Sequence, residues 1–229
     1  MAILKKLNNF GKKEKLTTID LNKIRNSILL EAKKQVVFYG WNENIFDNIA
    51  NNSKFNIEEI ITLFPNGYIA LIEMYIDTIN DKMIKQSKKI DFYRLKTHER
   101  IKKLLILRLK IMAEEKKIIS KTYFHLLLPQ NYRVSYKSLY KTVDLIWYIA
   151  GDNSTDFNFY TKRAILASIY SSVILHFVNN NNLDKTIDLL NLQLKRVSKI
   201  PIIKSKVKDV IQNTPNMFNL FKSILSFKQ

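Results

Sequence analysis

The sequence predicts an all-α protein: a bundle of about nine helices, followed by an amphipathic helix at its carboxyl end. The 229 residues include only four glycines and four prolines, too few for the many tight turns of a β fold. Apolar residues recur at spacings of three and four along most of the chain, the period of a helix with one buried face. With 46% hydrophobic residues, the chain can bury a sizeable core.

A short basic leader precedes the first predicted helix. Residues 1–16 lack the continuous apolar core and the small-residue cleavage site of a secretory signal. They are also rich in Lys and Asn rather than in the Arg and Ser of most transit peptides. We expect this leader to be disordered or loosely attracted to a membrane.

Residues 17–66 are predicted to form three helices separated by two turns. The first helix carries apolar residues at helical spacing and is expected to end at Gly40. A second helix is predicted over residues 42–50, and a third between Asn56 and the breaking residues 64–67. Three short helices in this order are typical of a helix-turn-helix bundle.

Residues 67–200 are predicted to form the larger helical domain. Its most hydrophobic segment contains an uninterrupted apolar run over residues 164–178. At about 1.5 Å per residue this run is too short to cross a hydrocarbon core of about 30 Å, so a central buried helix is expected. One long helix is predicted to begin at Tyr68. Further helices are predicted over residues 98–119, 123–128, 136–150, 157–178 and 183–197.

The carboxyl end is predicted to consist of a basic tether, residues 201–213, and an amphipathic helix, residues 214–229. Apolar side chains form one wide face of that helix and Lys residues flank it, which fits a helix lying in a membrane interface. The alternative is a helix that folds back onto the domain or swaps onto a partner subunit. The predicted membrane residues are Met217, Phe218, Phe221, Ile224 and Leu225.

The net charge of +18 comes from 38 basic and 20 acidic residues and attracts polyanions. Nucleic acid and an anionic membrane surface are both candidates. Lys, Asn and Ile are abundant throughout, as expected of an AT-rich genome, so part of the charge reflects compositional bias. The charge alone does not choose between these partners.

The residues that most catalytic and metal sites need are missing or badly placed. There is no cysteine, and none of the three histidines has a carboxylate three residues before it, as di-iron helical bundles require. Four scattered glycines cannot build a phosphate-binding loop. The pairs Glu58-Glu59 and Glu114-Glu115 are expected on solvated helix faces. We therefore predict no catalytic residues, no metal and no cofactor, and expect that the protein is not an enzyme.

Residues 143–163 are predicted to turn a corner between two apolar helices. Gly151 stands where a helix end favours a residue with positive φ, because glycine has no Cβ to clash. The polar residues after it can accept hydrogen bonds from the N–H groups that open the next helix. The predicted structural corner comprises Gly151, Asp152, Ser154, Thr155 and Asp156.

The first three helices look like the DNA-binding part of TetR-type regulators, because Phe64-Pro65 and a long fourth helix follow them. A DNA reader presents Arg, Lys, Asn or Gln to the bases from its third helix. Here the third helix carries Glu58 and Glu59, which phosphates would repel. The fold resemblance is therefore better than the functional one.

The corner strongly resembles the ninth coenzyme Q biosynthesis protein family, and Gly40-Trp41 and Leu63-Phe64-Pro65 fit its alphaproteobacterial members. One departure is Tyr148-Ile149, where family members have His-Tyr. The residues that carry the resemblance are Val143-Asp144, Trp147, Ala150-Gly151-Asp152, residues 154–158, Tyr160-Thr161, Arg163-Ala164, Leu166-Ala167 and Ile169-Tyr170.

This resemblance implies a TetR-like all-helical protein that binds isoprenoid lipid rather than DNA. It implies that the protein presents quinone intermediates to the demethoxyubiquinone hydroxylase, and that its C-terminal helix associates with the bilayer. We expect a homodimer in a bacterial cytoplasm, peripheral on the inner face of the cytoplasmic membrane. The alternative function is that of a TetR-type DNA-binding transcriptional regulator.

Two groups of residues are expected to carry this function. Asp144, Trp147 and Tyr148 are predicted to dock the hydroxylase, with Trp147 as an exposed hot spot; the alternative is a buried tryptophan. Apolar residues of the long helices are predicted to line the lipid cavity. They are Leu105, Leu109, Phe124, Leu127, Ile146, Tyr160, Ile169 and Val173.

Overall fold

A computed structural model describes residues 18–155 and 157–198, and within them every regular element is helical. The predicted all-α fold is confirmed, and a short 3₁₀ turn, Pro129–Asn131, leads into the seventh helix. The helices of the described residues are α1 (Thr18–Tyr39), α2 (Ile45–Asn52), α3 (Ile57–Leu63), α4 (Tyr68–Ser87), α5 (Thr97–Ala113), α6 (Lys116–Leu126), α7 (Tyr132–Ile149), α8 (Phe157–Asn179) and α9 (Leu183–Ser198).

Several predictions concern residues outside the described ranges. They are the leader (1–16), the tether (201–213), the amphipathic helix (214–229) with its five membrane residues, and Asp156 at the corner. These remain predictions.

α1 ends and α3 begins at the predicted signals, whereas α2, expected over residues 42–50, covers Ile45–Asn52. Gly40 has φ +73°, and its N–H donates to the Val36 carbonyl at 3.0 Å, which closes α1. At the start of α3, the Asn56 side chain accepts from the Glu58 N–H, and the Glu59 carboxylate accepts from the Asn56 N–H, both at 3.3 Å. Glu59 is buried, so the expectation that both glutamates lie on a solvated face is wrong for this one.

One predicted helix, over residues 98–119, is two helices in the structure. α5 ends at Ala113 and α6 begins at Lys116, with Glu115 between them in a non-helical conformation (φ −127°, ψ 41°). The Glu115 carboxylate accepts hydrogen bonds from the Lys33 ammonium and from the Tyr75 hydroxyl. The expected solvated face is therefore wrong for Glu115 too, because it connects the α5–α6 junction to α1 and α4.

The larger part of the domain is built around α4, α5, α7 and α8. α4 packs against both α5 and α7, and α8 packs against α6, α7 and α9. α8 supplies Leu166, Val173 and Phe177 to the core, as expected for a central helix. Among the helices of the described residues, none has the length and apolar character needed to cross a membrane.

Glu115→Gln should destabilise the fold by about 1–2 kcal/mol, because Lys33 and Tyr75 would lose a charged acceptor in a partly buried site. The neighbouring variant Glu114→Gln is the control. Its carboxylate is more than half exposed, and it contacts Lys82 at 3.5 Å, so a loss of at most about 0.5 kcal/mol is expected. Urea unfolding of both variants measures the difference, and equal losses would contradict this role for Glu115.

Candidate functional site

An apolar cleft opens between α6, α7 and α8, and Ile76 of α4 contributes to its wall. Its volume of about 90 Å³ is well below the roughly 300–1,000 Å³ typical of pockets that enclose a drug-sized ligand. Three exposed leucines, Leu127, Leu128 and Leu175, lie on these elements or directly after α6. The apolar residues of the cleft are Ile76, Leu126, Leu127, Leu139, Ile174, Leu175 and Val178.

A buried cation lies behind this cleft. Arg108 of α5 is fully buried, and its guanidinium donates to the Tyr170 hydroxyl at 2.7 Å and to the Asn80 side-chain oxygen at 2.7 Å. It also donates to the Thr142 hydroxyl at 3.3 Å. The Tyr170 hydroxyl in turn lies 2.7 Å from that of Tyr123. Tyr123, Thr142 and Tyr170 all border the cleft, so the network connects Arg108 to its polar wall.

The charges in this network are fixed by burial and by neighbouring dipoles. Burial by itself lowers the pKa of Arg108, but the oxygens of Tyr170 and Tyr123 outweigh it and raise the pKa, so the guanidinium stays charged. Burial raises the pKa of Tyr170 well above its ordinary value although Arg108 opposes this, so the phenol stays neutral. Every hydrogen-bond acceptor found for Arg108 in the described part of the chain is thus uncharged.

The residues predicted to bind lipid divide into three groups. Leu127 borders the cleft, while Phe124 and Tyr160 are exposed elsewhere on the surface. The other five are buried and do not border the cleft; they are Leu105, Leu109, Ile146, Ile169 and Val173. The prediction missed Arg108 and Tyr170. The signal was present, because Arg108 follows Leu104 and Leu105 at helical spacing and precedes Met112, which places it within the apolar stripe of α5.

The predicted corner has the geometry of a helix end closed by glycine. Gly151 has φ +84°, its N–H donates to the Tyr148 carbonyl, and the Asp152 N–H donates to the Trp147 carbonyl, each at 3.0 Å. Arg100 of α5 donates to the Ala150 carbonyl at 3.2 Å and so attaches the corner to the neighbouring helix. Thr155 is exposed.

An ionic cluster holds the two sides of the corner together. The Asp152 side chain is only 2% exposed and accepts from Lys162 at 2.7 Å and from Arg163 at 3.1 Å. The Ser154 hydroxyl also donates to Asp152, at 2.8 Å. Burial by itself raises the pKa of Asp152, but the hydrogen bonds from Lys162, Ser154 and Arg163 outweigh it and hold the pKa below its ordinary value.

The three predicted docking residues differ in accessibility. Tyr148 is 77% exposed. The Asp144 carboxylate is partly exposed, but it accepts from the Arg163 guanidinium at 2.6 Å. Trp147 is half-buried against the core, and its indole N–H donates to the Lys162 carbonyl at 3.1 Å. Trp147 is therefore neither the exposed hot spot nor the fully buried tryptophan that the sequence left as alternatives, and its indole packs at the junction between α7 and α8.

The third helix of the N-terminal bundle lacks the side chains that usually contact bases in nucleic acid. α3 reads Ile-Glu-Glu-Ile-Ile-Thr-Leu and contains no basic residue and no amide side chain. Asn56, just before it, uses its side-chain oxygen to cap the helix. This end of the molecule has the shape of a helix-turn-helix bundle without the usual base-reading residues.

Residues 132–201 match the family model described as COQ9. The rat protein named "Ubiquinone biosynthesis protein COQ9, mitochondrial" is 49% identical over 59 residues, which cover 26% of this chain and 19% of that protein. The cattle protein of the same name is 26% identical over 70% of this chain and 52% of its own length. The "Probable ubiquinone biosynthesis protein coq9, mitochondrial" of Dictyostelium discoideum is 27% identical over 85% of this chain and 66% of its own length. The chain thus spans less than two thirds of each of these relatives.

A solved structure, that of a TetR transcriptional regulator from Nitrosomonas europaea, is similar in fold. The TM-score is 0.63 at 18% sequence identity, and the likeness covers 77% of this chain and 98% of that chain. This confirms the predicted TetR-like helical fold.

The names of these relatives correct one prediction. All three are named mitochondrial, which contradicts the expected location in a bacterial cytoplasm, on the inner face of the cytoplasmic membrane. That expectation rested on a resemblance to alphaproteobacterial members and on a leader without the usual transit-peptide composition. Neither feature determines the compartment.

Asp152→Asn should destabilise the fold at neutral pH by about 1–3 kcal/mol, because Lys162 and Arg163 would lose a buried charged acceptor. The carboxylate has a folded-state pKa below its ordinary value of 3.8. Its contribution is therefore present above that value and is lost as the pH falls through the folded-state pKa. Unfolding free energies measured from about pH 6 down to about pH 2.5 should show a smaller acid-induced loss in Asp152→Asn than in the parent chain.

The control for this prediction is Asp144→Asn. Its side chain is 42% exposed and Arg163 keeps Asp152 as a partner, so the expected loss is about 1 kcal/mol or less. A parent-like acid profile in Asp152→Asn would contradict the role given to this carboxylate.

Proposed function

We propose that the chain is a member of the COQ9 family and an accessory protein of ubiquinone biosynthesis that binds an isoprenoid lipid. The match of residues 132–201 to the COQ9 family model and the similarity to the cattle and Dictyostelium discoideum proteins support this proposal. In this role it presents quinone intermediates to the demethoxyubiquinone hydroxylase at a membrane surface and performs no chemistry itself. The observation that carries the proposal is the apolar cleft, two of whose walls, α7 and α8, lie within the residues that match the family model.

The cleft and its surroundings suit a lipid chain. Moving isoprenoid carbon into water costs about 0.8 kcal/mol per CH₂, so a carrier has to supply an apolar surface in exchange. The cleft supplies one, and exposed leucines beside it extend the apolar surface outward. Since its volume is about 90 Å³, the cleft must widen when it takes up a ring or a prenyl unit. Leu127 and Leu175 are at least half exposed, and exposed side chains change rotamer easily.

A membrane surface is the proposed source of the ligand. The net charge of +18 favours an anionic bilayer. Residues 214–229 are proposed to lie in the interface with their apolar side chains, and two copies of the chain are proposed to form a homodimer. In this arrangement the lipid need not pass through bulk water.

The hydroxylase is proposed to dock at the outer face of α7, beside the corner. Tyr148 is the most exposed aromatic residue of that region, whereas Asp144 and Trp147 support it from inside through Arg163 and Lys162. An aromatic side chain on a rigid, well-capped helix end loses little conformational freedom on binding, which suits a hot spot.

The lipid-carrier function predicts that the protein, purified without detergent, retains isoprenoid quinone that solvent extraction and mass spectrometry detect. It also predicts that the protein floats with anionic vesicles, and that removing residues 214–229 abolishes flotation while the truncated protein keeps its helical circular dichroism.

The alternative function, that of a TetR-type DNA-binding regulator, predicts the opposite results in these experiments. It would bind a defined duplex DNA site with steep salt dependence and would be insensitive to the truncation. A lipid-free, non-floating protein that shifts such a site would overturn the carrier function. Flotation without extracted lipid would indicate a membrane adaptor that carries no ligand.

Tyr148→Ala should weaken binding to the hydroxylase about fivefold or more, because it removes an exposed aromatic contact without touching the core. The control is Tyr93→Ala, which removes a tyrosine that is 90% exposed in the loop between α4 and α5. Surface plasmon resonance with immobilised hydroxylase measures both variants. Equal affinity in the parent chain and in Tyr148→Ala would place the docking surface elsewhere.

A further inference from the structure

The polar network behind the cleft begins at a cation that can only donate hydrogen bonds. A guanidinium carries five N–H donors and no acceptor, and Arg108 uses uncharged oxygens of Tyr170, Asn80 and Thr142 as its partners. The Asn80 side-chain oxygen accepts from Arg108, so its amide group faces the other way. That amide nitrogen is buried and has no acceptor among the described residues, but Asn80 borders a groove between α4 and α7 rather than the cleft. Its missing acceptor therefore does not bear on a ligand in the cleft.

The direction of the next hydrogen bond follows from the donation of Arg108 to Tyr170. The Tyr170 oxygen accepts from Arg108, and the Tyr170 hydroxyl is buried. Its own proton needs an acceptor, and the Tyr123 oxygen, 2.7 Å away, is the acceptor found for it. If Tyr123 donated to Tyr170 instead, the Tyr170 proton would be left buried and unpaired, which is costly. The favoured order is thus Arg108 to Tyr170 to Tyr123.

This order leaves the hydroxyl proton of Tyr123 free to donate. Tyr123 is only half-buried and borders the apolar cleft, so this proton is available to a ligand there. The Tyr123 hydroxyl is also a stronger donor than an isolated phenol, because the buried Arg108 cation polarises each hydrogen bond of the series from Arg108 through Tyr170 to Tyr123. The cleft therefore combines apolar walls with one activated phenolic donor.

We propose that the cleft takes the ring end of a quinone-type ligand, and that a ring carbonyl oxygen accepts the hydrogen bond of Tyr123. This proposal rests on the proposed function and adds to it the orientation of the ligand: ring inward against the phenols, isoprenoid tail outward along the exposed leucines. A neutral oxygen fits better than a phosphate or carboxylate, because Arg108 lies behind Tyr170 and Thr142 and does not itself border the cleft.

The test compares two probes on two variants. The probes are decylubiquinone and decylbenzene, which share the alkyl chain, although only the first has ring carbonyls. Tyr123→Phe deletes the donor and keeps the ring, and Tyr136→Phe is the matched control, since Tyr136 is exposed on α7 and does not border the cleft. Equilibrium dialysis with mass spectrometry gives each dissociation constant, and thermal unfolding confirms that each variant is folded.

The expected result is a three- to tenfold weakening of decylubiquinone binding in Tyr123→Phe, about what a lost hydrogen bond gives, with decylbenzene binding unchanged. Tyr136→Phe should match the parent chain with both probes. The ring-inward orientation is wrong if Tyr123→Phe binds decylubiquinone with the affinity of the parent chain. It is also wrong if the affinities for both probes fall equally. In either case the parent chain still binds lipid, so the lipid-carrier function is not contradicted. If the parent chain binds neither probe, the lipid-carrier function fails as well.

Discussion

The buried guanidinium of Arg108 is the constraint on which the rest of the helical domain depends. Removing such a cation from water costs several kcal/mol, so the helices around it have to supply oxygen acceptors at fixed positions. Asn80 on α4, Thr142 on α7 and Tyr170 on α8 do so. Since Tyr123 of α6 joins through Tyr170, one cation fixes five helices relative to one another. The same network adds polar groups to a cleft that Ser135, Ser138 and Ser171 also border.

A second buried arginine, Arg163 of α8, also connects α7 to its neighbours. Arg163 connects Asp144 on α7 to Asp152 at the corner, so the start of α8 is held by charge pairs rather than by the neutral acceptors found around Arg108. The pairing explains why the corner can be rigid and still present an exposed aromatic, Tyr148. Stability and recognition lie side by side there: Asp152 and Arg163 are buried, Asp144 and Lys162 are partly exposed, and Tyr148 lies on the surface.

Much of the fold could be predicted from local signals, and the site much less. Apolar periodicity and the glycines at helix ends, Gly40 and Gly151, predicted where most helices lie, because these effects act within a few residues. The break at Glu115 was missed, since its cause is a pair of contacts with α1 and α4 that are distant in sequence. Arg108 was missed because a basic residue is expected at the surface, although its position in an apolar stripe was visible. Which leucines border a cleft depends on how helices cross, and no local pattern encodes that.

The most direct measurement of the central claim is a crystal structure of the protein with decylubiquinone bound. Electron density for the ring is expected in the cleft between α6, α7 and α8, with a carbonyl oxygen about 2.6–3.0 Å from the Tyr123 hydroxyl. The decyl chain is expected to run out past Leu127 and Leu175. Density with the chain inward and the ring at the surface, or a ligand bound away from Tyr123, would contradict it.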